Sequence, residues 1–222
     1  MNFKILRHLA FEMIDVLHIG AHKFEEMSEY TKYGTESVVW VDPINTYLPN
    51  ALPSGHRFIQ KIVTSKDIDE ISFNVYEATG FSSIYELINP GSIIKGTPKK
   101  FKTIEASTIK GTELQNSYAK TNKLESQSIV IDTQGSEFEV LDSFNLDLVK
   151  EIVVETSKKQ LYNSNHSKSD IVEKLQKKRF YLNFDSSDLI NGHGDLYFSR
   201  YPSSKKLVVM IYRICVTFKL PL

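Results

Sequence analysis

The chain has 222 residues, of which 41% are hydrophobic and 24% charged, as expected of a globular protein with one sizeable core. Its 27 basic and 27 acidic residues balance, so no net positive field favours nucleic acid as a partner. A single cysteine, Cys215, excludes an internal disulfide and a cysteine zinc cage, and it suits a cytoplasmic location. Residues 1–13 do not resemble a signal peptide, and no apolar run reaches the ~18 residues of a membrane-spanning helix.

The first part of the chain alternates short apolar runs with a helical pattern. Residues 13–20 and 37–42 are predicted strands that end at Gly20 and Asp42. Between them, apolar residues recur at a spacing of three, which predicts a helix over 23–33. Such alternation favours parallel strands joined by helices.

The middle of the chain has a different composition. A third strand is predicted at 57–64, and residues 68–115 then combine β-branched residues with several glycines and prolines. This composition predicts strands and loops inserted into the sheet.

The second half returns to the alternating pattern. Four strands are predicted at 128–132, 151–155, 180–185 and 194–200, the last two near an edge and antiparallel, with helices over 136–144 and 170–180. Ser136 and Glu139 have the spacing of a capping box. The predicted fold is therefore α/β, with a mainly parallel sheet of about seven strands and a β-rich insertion.

The predicted domain covers residues 1–203 and leaves a tail at 204–222 that is apolar with a few basic residues. As a helix, the tail would suit peripheral contact with a membrane surface. Its β-branched content equally favours an edge strand packed on the core.

Gly20 and Asp42 end two predicted neighbouring strands and are 22 residues apart. A glycine there lets a ligand approach the backbone, and the acid suits a ribose diol. A plain turn glycine and a solvated aspartate are the alternatives. Phe24 stands where a dinucleotide-binding loop would have glycine, which favours a cofactor with one carboxylate, such as S-adenosylmethionine (SAM), over a pyrophosphate.

Several segments resemble the FkbM-type SAM-dependent methyltransferase family. They are VLHIGAHKFEE with VVWVDP, FSSIYEL, IVIDTQGSEFEVLDSF and HGDLYFSR, within residues 13–200. The resemblance implies a Rossmann-like SAM-methyltransferase fold and methyl transfer to a hydroxyl of a sugar or a small natural product. His18 and Phe24 depart from the family pattern, and Asp42 replaces its commoner glutamate.

The strongest catalytic candidates are Asp132 and Gln134, at the end of the 128–132 strand. A carboxylate there can orient or deprotonate an acceptor hydroxyl. Alternatively, backbone N–H groups of the following turn satisfy Asp132. Glu155 ends the next strand and forms a second carboxylate on the same rim. No histidine has a spacing that would complete a metal site with them, so no metal is predicted.

Other residues complete the predicted site. The cofactor candidates are Gly20, Ala21, His22, Asp42, Thr64 and Asp132, and the substrate candidates are Ser82, Ser83 and Glu155. His18, within a strand, is expected to be a structural histidine. The polar loop with Asn163, Asn165 and His166 would lie over the same rim, either lining the acceptor site or solvated.

Two classes of function follow. The first is a SAM-dependent O-methyltransferase that acts on a sugar, a glycan or a glycosylated precursor. The second is a non-catalytic binding or scaffold module that keeps the fold but has an altered cofactor turn. A nicotinamide-dependent oxidoreductase is disfavoured by the missing glycines. The sequence names neither the acceptor nor the oligomeric state.

Overall fold

The computed structural model describes residues 14–32, 34–88, 98–119, 127–157, 159–186 and 193–201. The predicted tail at 204–222 lies outside the described residues. Among the described residues, no helix is long and apolar enough to cross a membrane.

Ten strands and four α-helices make up the described fold. The strands are β1 (Asp15–Ile19), β2 (Ser37–Val41), β3 (His56–Ile59), β4 (Ile62–Val63), β5 (Glu70–Tyr76), β6 (Lys100–Ile109), β7 (Gln127–Ile131), β8 (Val149–Ser157), β9 (Tyr181–Asp185) and β10 (His193–Ser199). The helices are α1 (Met27–Lys32), α2 (Gly111–Ala119), α3 (Glu137–Ser143) and α4 (Lys168–Lys177), with 3₁₀ turns at Thr79–Phe81 and Leu146–Leu148.

Seven strands form the main sheet in the order β3-β2-β1-β7-β8-β10-β9. All neighbouring pairs are parallel except those of β10, which runs antiparallel to both β8 and β9. The reversed strand therefore lies one position inside the edge. The chain builds outward from β1 to β3 and then returns to β7, so the strand order switches between β1 and β7. The prediction of a Rossmann-like, mainly parallel sheet is confirmed.

The central strands are buried on both faces, as parallel strands usually are. Every residue of β1, β2 and β7 is buried. One face packs against Leu141 of α3 and Leu175 of α4, and the other packs against an aromatic cluster that includes Tyr30 and Trp40. His18 is buried in that cluster, with Nδ1 2.9 Å from the Tyr30 hydroxyl, as a structural histidine would be.

The inserted region forms a separate three-stranded sheet in the order β4-β6-β5. The predicted single strand at 57–64 is two strands, because β3 pairs with the main sheet whereas β4 pairs with β6. The chain leaves the main sheet beside the point where it returns, since Thr64 N donates to Ile109 O at 3.1 Å. The region predicted as strands and loops ends in a helix, because α2 begins at Gly111.

The helix predicted over 23–33 begins only at Met27. His22 and Phe24 have positive φ angles of 40° and 56°, which a helix does not accommodate. Phe24 and Tyr30, two of the residues with this spacing, are instead buried against the sheet. This segment is therefore a turn followed by a short helix.

The capping box predicted at Ser136 and Glu139 is wrong. Ser136 makes no side-chain cap bond, and its hydroxyl donates to the Thr133 carbonyl at 3.3 Å. The Glu139 carboxylate accepts from the Tyr85 hydroxyl of the inserted region. Glu137 Oε1 takes the N–H of Gly135 at 2.8 Å, so an acid one residue inside the helix stabilises the turn.

Candidate active site

The carboxyl ends of β1, β2 and β7 meet at one rim of the main sheet, where they place Gly20, Asp42 and Asp132. Glu155 lies beside Asp132 at this rim, but it does not end its strand as predicted, because β8 continues to Ser157. The backbone at Gly20 and Asp132 is in direct contact. Asp132 N donates to Ile19 O at 2.9 Å, and a Cβ atom on Gly20 would lie 1.8 Å from the Asp132 carbonyl oxygen. Gly20 also has a φ of 94°, so this position needs glycine for both space and conformation.

Asp42 stabilises the turns around it through both carboxylate oxygens. Oδ2 accepts the N–H of His22 at 2.9 Å, and Oδ1 accepts the N–H of Ile44 at 2.8 Å. Burial raises the pKa of Asp42, and the two backbone hydrogen bonds oppose that rise. Each oxygen keeps a further lone pair for a ligand hydroxyl.

A small cavity of about 70 Å³ lies between these turns and is lined by Gly20, Asp42 and Asp132 among others. The inserted region covers part of it. Thr79 Oγ1 lies 2.9 Å from His22 Nε2 and 3.1 Å from the Tyr47 hydroxyl. The 3₁₀ turn at Thr79–Phe81 therefore covers the rim.

The backbone N–H groups of the first turn are already engaged. Gly20 N and Ala21 N both donate to Val41 O, at 2.8 and 3.2 Å, and His22 N donates to Asp42. A helix starting directly after the turn, as predicted over 23–33, would have left N–H groups here free for an anion. The later helix start explains why the structure has none of these three N–H groups free.

Asp132 and Glu155 form a carboxyl pair joined by Gln134. Gln134 Nε2 donates to Asp132 Oδ1 at 2.7 Å and to Glu155 Oε2 at 2.6 Å. Burial raises the pKa of Asp132 well above its usual range, and the charge of Glu155 adds to the rise. Burial also raises the pKa of Glu155 to about 7, with contributions from Asp195 and Glu137. The pair therefore retains a proton near neutral pH.

Gln134 adopts a left-handed backbone conformation, with a φ of 56°. Its carbonyl accepts from the Ser83 hydroxyl at 2.6 Å, and its Oε1 lies 3.0 Å from the Tyr162 hydroxyl. Such a conformation costs on the order of 1 kcal/mol or more and persists where neighbours hold it. The contacts on both sides of Gln134 direct its amide nitrogen to the carboxyl pair.

Tyr162 is a site residue that the sequence did not indicate. Its ring packs so closely on Gly135 that a Cβ atom there would lie 2.8 Å from the ring. Its hydroxyl lies 3.3 Å from the Phe81 carbonyl as well as near Gln134. The hydrophobic pair Leu161–Tyr162 within an otherwise polar loop was the available signal, but loop residues lack the periodicity that identifies buried positions.

A groove of about 800 Å³ opens on the other side of Gln134. It lies between the loop that follows β8 and helix α4, and Glu137 and Glu155 line it. Glu137 is 8% exposed, and burial raises its pKa to about 7. Gln134 lines both the small cavity and the groove, so the carboxyl pair lies where the two spaces meet.

A model of the methyltransferase FkbM domain matches residues 18–182, about three quarters of the chain. The chain belongs to the FkbM methyltransferase family. The family resemblance predicted from the sequence is thus confirmed, and membership supports a methyltransferase. The comparisons with curated proteins and with solved structures give no significant match.

The matched region of this FkbM family member contains all the predicted site residues, but the structure brings only some of them together. Gly20, His22, Asp42 and Asp132 line the small cavity. Ala21 is buried beside them, at 2% exposure. Thr64 lies outside both cavities, where its hydroxyl accepts the N–H of Lys66 at 3.2 Å.

The predicted substrate residues of this FkbM family member differ in their surroundings. Ser82 lines the small cavity, and its hydroxyl accepts the N–H of Tyr76. Ser83 is fully buried and binds the protein's own Gln134 carbonyl. Glu155 lines the groove, as do Asn165 and His166 of the polar loop. Within the described ranges, no three His, Cys, Asp or Glu side chains are arranged to hold a metal ion.

Proposed function

We propose that the protein is a SAM-dependent O-methyltransferase and that its acceptor is a hydroxyl group of a sugar, a glycan or a glycosylated precursor. The observation that carries the proposal is the carboxyl pair of Asp132 and Glu155, between a cavity at the cofactor turns and a groove. Family membership supports the transfer of a methyl group. The pair supports an acceptor that must lose a proton.

The residues around the small cavity fit SAM in their chemistry. Asp42 would accept the ribose hydroxyls, and Gly20 lines the same cavity. A cavity of about 70 Å³ is smaller than SAM. We therefore expect the cavity to widen when SAM binds, and the contacts of Thr79 with His22 and Tyr47 lie where this would occur.

The chemistry that SAM supplies is a methyl group on a positively charged sulfur, which leaves as a neutral thioether when the acceptor oxygen takes the methyl. The protein must orient the acceptor oxygen and receive its proton. Burial raises the pKa of Glu155 to about 7 and the pKa of Asp132 well above its usual range, so the pair can take up a proton near neutral pH, which suits a general base. Gln134 holds both carboxyl groups at this position, and α3 and the Glu137–Gly135 contact stabilise the turn that carries them.

The alternative is a non-catalytic binding or scaffold module. It is favoured by the small volume of the cavity and by the two backbone hydrogen bonds that Asp42 already accepts. Binding of the cofactor distinguishes the two functions.

Isothermal titration with SAM and with NAD tests the proposal. We expect saturable binding of SAM, weak or no binding of NAD, and at least tenfold weaker SAM binding by Asp42→Ala, which loses hydrogen bonds to a charged acceptor. Circular dichroism would verify that the variant is folded. Absence of SAM binding by the wild type would favour the scaffold function, and unchanged affinity in the folded variant would place the ribose elsewhere.

A further inference from the structure

We infer that the groove between the β8–α4 loop and helix α4 binds the acceptor as an uncharged carbohydrate chain of more than one sugar residue. The inference rests on the proposed methyl transfer and specifies its substrate class. Its support comes from the position, the size and the polarity of the groove.

The groove connects the carboxyl pair with the surface of α4. Gln134 and Glu155 line it at the rim of the sheet, whereas Glu173 and Gln176 line it from exposed positions on α4. An acceptor that places one hydroxyl at the pair can therefore extend along the helix. This path leads away from the turns after β1 and β2, because Gly20 and Asp42 line the small cavity and not the groove.

The volume of the groove exceeds the needs of a single sugar. Sites for drug-sized ligands measure roughly 300–1,000 Å³, and this groove, at about 800 Å³, is in the upper part of that range. A monosaccharide is considerably smaller than such ligands. The space is suited to a chain of several sugar residues.

The inner end of the groove disfavours anionic ligands. Glu137 and Glu155 are both held at raised pKa, and the charge of Glu137 contributes to the rise at Glu155. A phosphate or carboxylate of the ligand would add another negative charge beside them. Sugar hydroxyls instead donate hydrogen bonds, which the carboxylate oxygens accept.

The walls offer neutral polar groups rather than a binding site for a charge. Hydroxyl and amide side chains in the lining include Thr156, Ser157, Gln160, Ser164, Asn165 and Gln176. The charged lining residue Lys168 is paired with Asp185, and Asp170 caps α4 through Ser167. Lys159 is exposed at the outer surface, where water weakens its attraction for an anion.

A glycan array probed with the labelled full-length protein tests the inference. The array would carry neutral oligosaccharides, neutral monosaccharides, oligosaccharides with uronic acids, and nucleotide sugars. We expect binding to a subset of the neutral oligosaccharides, at least tenfold stronger than to any monosaccharide. Preference for acidic or nucleotide sugars, equal binding of a monosaccharide, or no binding would each overturn it.

A variant at the outer end of the groove tests the binding path. Gln176→Trp should weaken binding of the best neutral oligosaccharide about tenfold or more, because the indole narrows the groove. Asn116→Trp, at an exposed position on α2 outside the groove, is the matched control and should bind normally. Both variants should unfold at the urea concentration of the wild type. Normal binding by Gln176→Trp would show that the ligand does not lie along α4.

The result is separable from that of the proposed function. Binding of neutral oligosaccharides without SAM binding would contradict the methyltransferase and leave the groove as a carbohydrate site. SAM binding without carbohydrate binding would contradict the groove inference alone.

Discussion

At the scale of single residues, Asp132 and Glu155 act as one titrating unit, because Gln134 Nε2 contacts an oxygen of each carboxyl group. Two carboxylates this close cannot both ionise easily in a buried site. Protonation of one therefore sets the charge of the other, and the unit as a whole is the base in the proposed reaction.

Asp132→Asn and Glu155→Gln should each lower the rate of methyl transfer by ~10²-fold or more, the usual scale for a general base. Affinity for SAM should change little, because the substitutions keep the shape of each side chain. The double variant should be no slower than the slower single variant, since either change disables the pair. Single-turnover assays with a methyl-labelled cofactor would measure this. Equal turnover by either single variant and the wild type would exclude that residue as part of the base.

Tyr162→Phe should move the pH midpoint of methyl transfer upward and lower its rate about tenfold. The hydroxyl lies 3.0 Å from Gln134 Oε1, and without it the amide donates less firmly to the carboxylates, so the pKa of the pair rises. A pH–rate profile would measure the shift. Tyr181→Phe, at an exposed position on β9, is the control. A uniform loss of rate with an unchanged midpoint would mean that Tyr162 only supports Gly135 by packing.

At the scale of elements, the segment of the 3₁₀ turn Thr79–Phe81 and the two serines after it contacts two parts of the site. These are the turn after β1 and the turn after β7. Thr79 contacts the turn after β1 through His22, and the Ser83 hydroxyl donates to the Gln134 carbonyl. The inserted sheet therefore carries a cover for the small cavity as well as a support for the carboxyl pair.

Thr79→Val should increase the association rate of SAM several-fold, because it removes the oxygen that contacts both His22 and Tyr47. A closed form that excludes the ligand lowers the apparent rate and affinity of binding. Stopped-flow fluorescence of Trp40 would follow the association. Thr112→Val, at an exposed position on α2, is the matched control. An unchanged rate would show that these contacts do not limit entry.

Elements with a clear pattern of apolar residues could be predicted from the sequence. Features that depend on the contacts of single residues could not. β1, β2 and β7 are short runs of apolar residues, so their place in the sheet and the strand-end positions of Gly20, Asp42 and Asp132 follow from pattern. The division of 57–64 into two strands has no such pattern, because Phe58–Ile59 and Ile62–Val63 both suit a strand and only their partners differ.

The same limit applies to the candidate site. Asp132, Gln134 and Glu155 were predicted because strand ends and a family motif mark them. The contact of Tyr162 with Gln134 joins residues 28 positions apart through a loop. Ser83 lies in a segment whose serines look like substrate contacts, yet its burial directs its hydroxyl to the protein backbone.

At the scale of the whole molecule, the buried acids should make stability fall as pH rises. The pKa of both Glu137 and Glu155 is about 7 in the folded protein, above the ordinary value of 4.5. The folded state therefore binds more protons than the unfolded state between about pH 4.5 and 7. For Glu137 alone, this lowers the free energy of unfolding by on the order of 3 kcal/mol across that window.

Urea denaturation without cofactor, at several pH values from 5 to 8, would measure this dependence. The midpoint should decrease with pH and level off above the folded pKa. Glu137→Gln should flatten the curve, because its side chain no longer titrates. A wild-type midpoint that rises over this range would contradict the assignment of raised pKa values.

The pairing of β4 with β6 has a consequence for engineering. Because Thr64 and Ile109 are hydrogen-bonded, residues 65–108 leave and re-enter the main body at adjacent points. Segments whose ends are close together can be exchanged with little disturbance of the host domain. This segment can therefore be exchanged as a unit: replacing it would change the cover of the small cavity while the strands that carry Asp42, Asp132 and Glu155 stay in place.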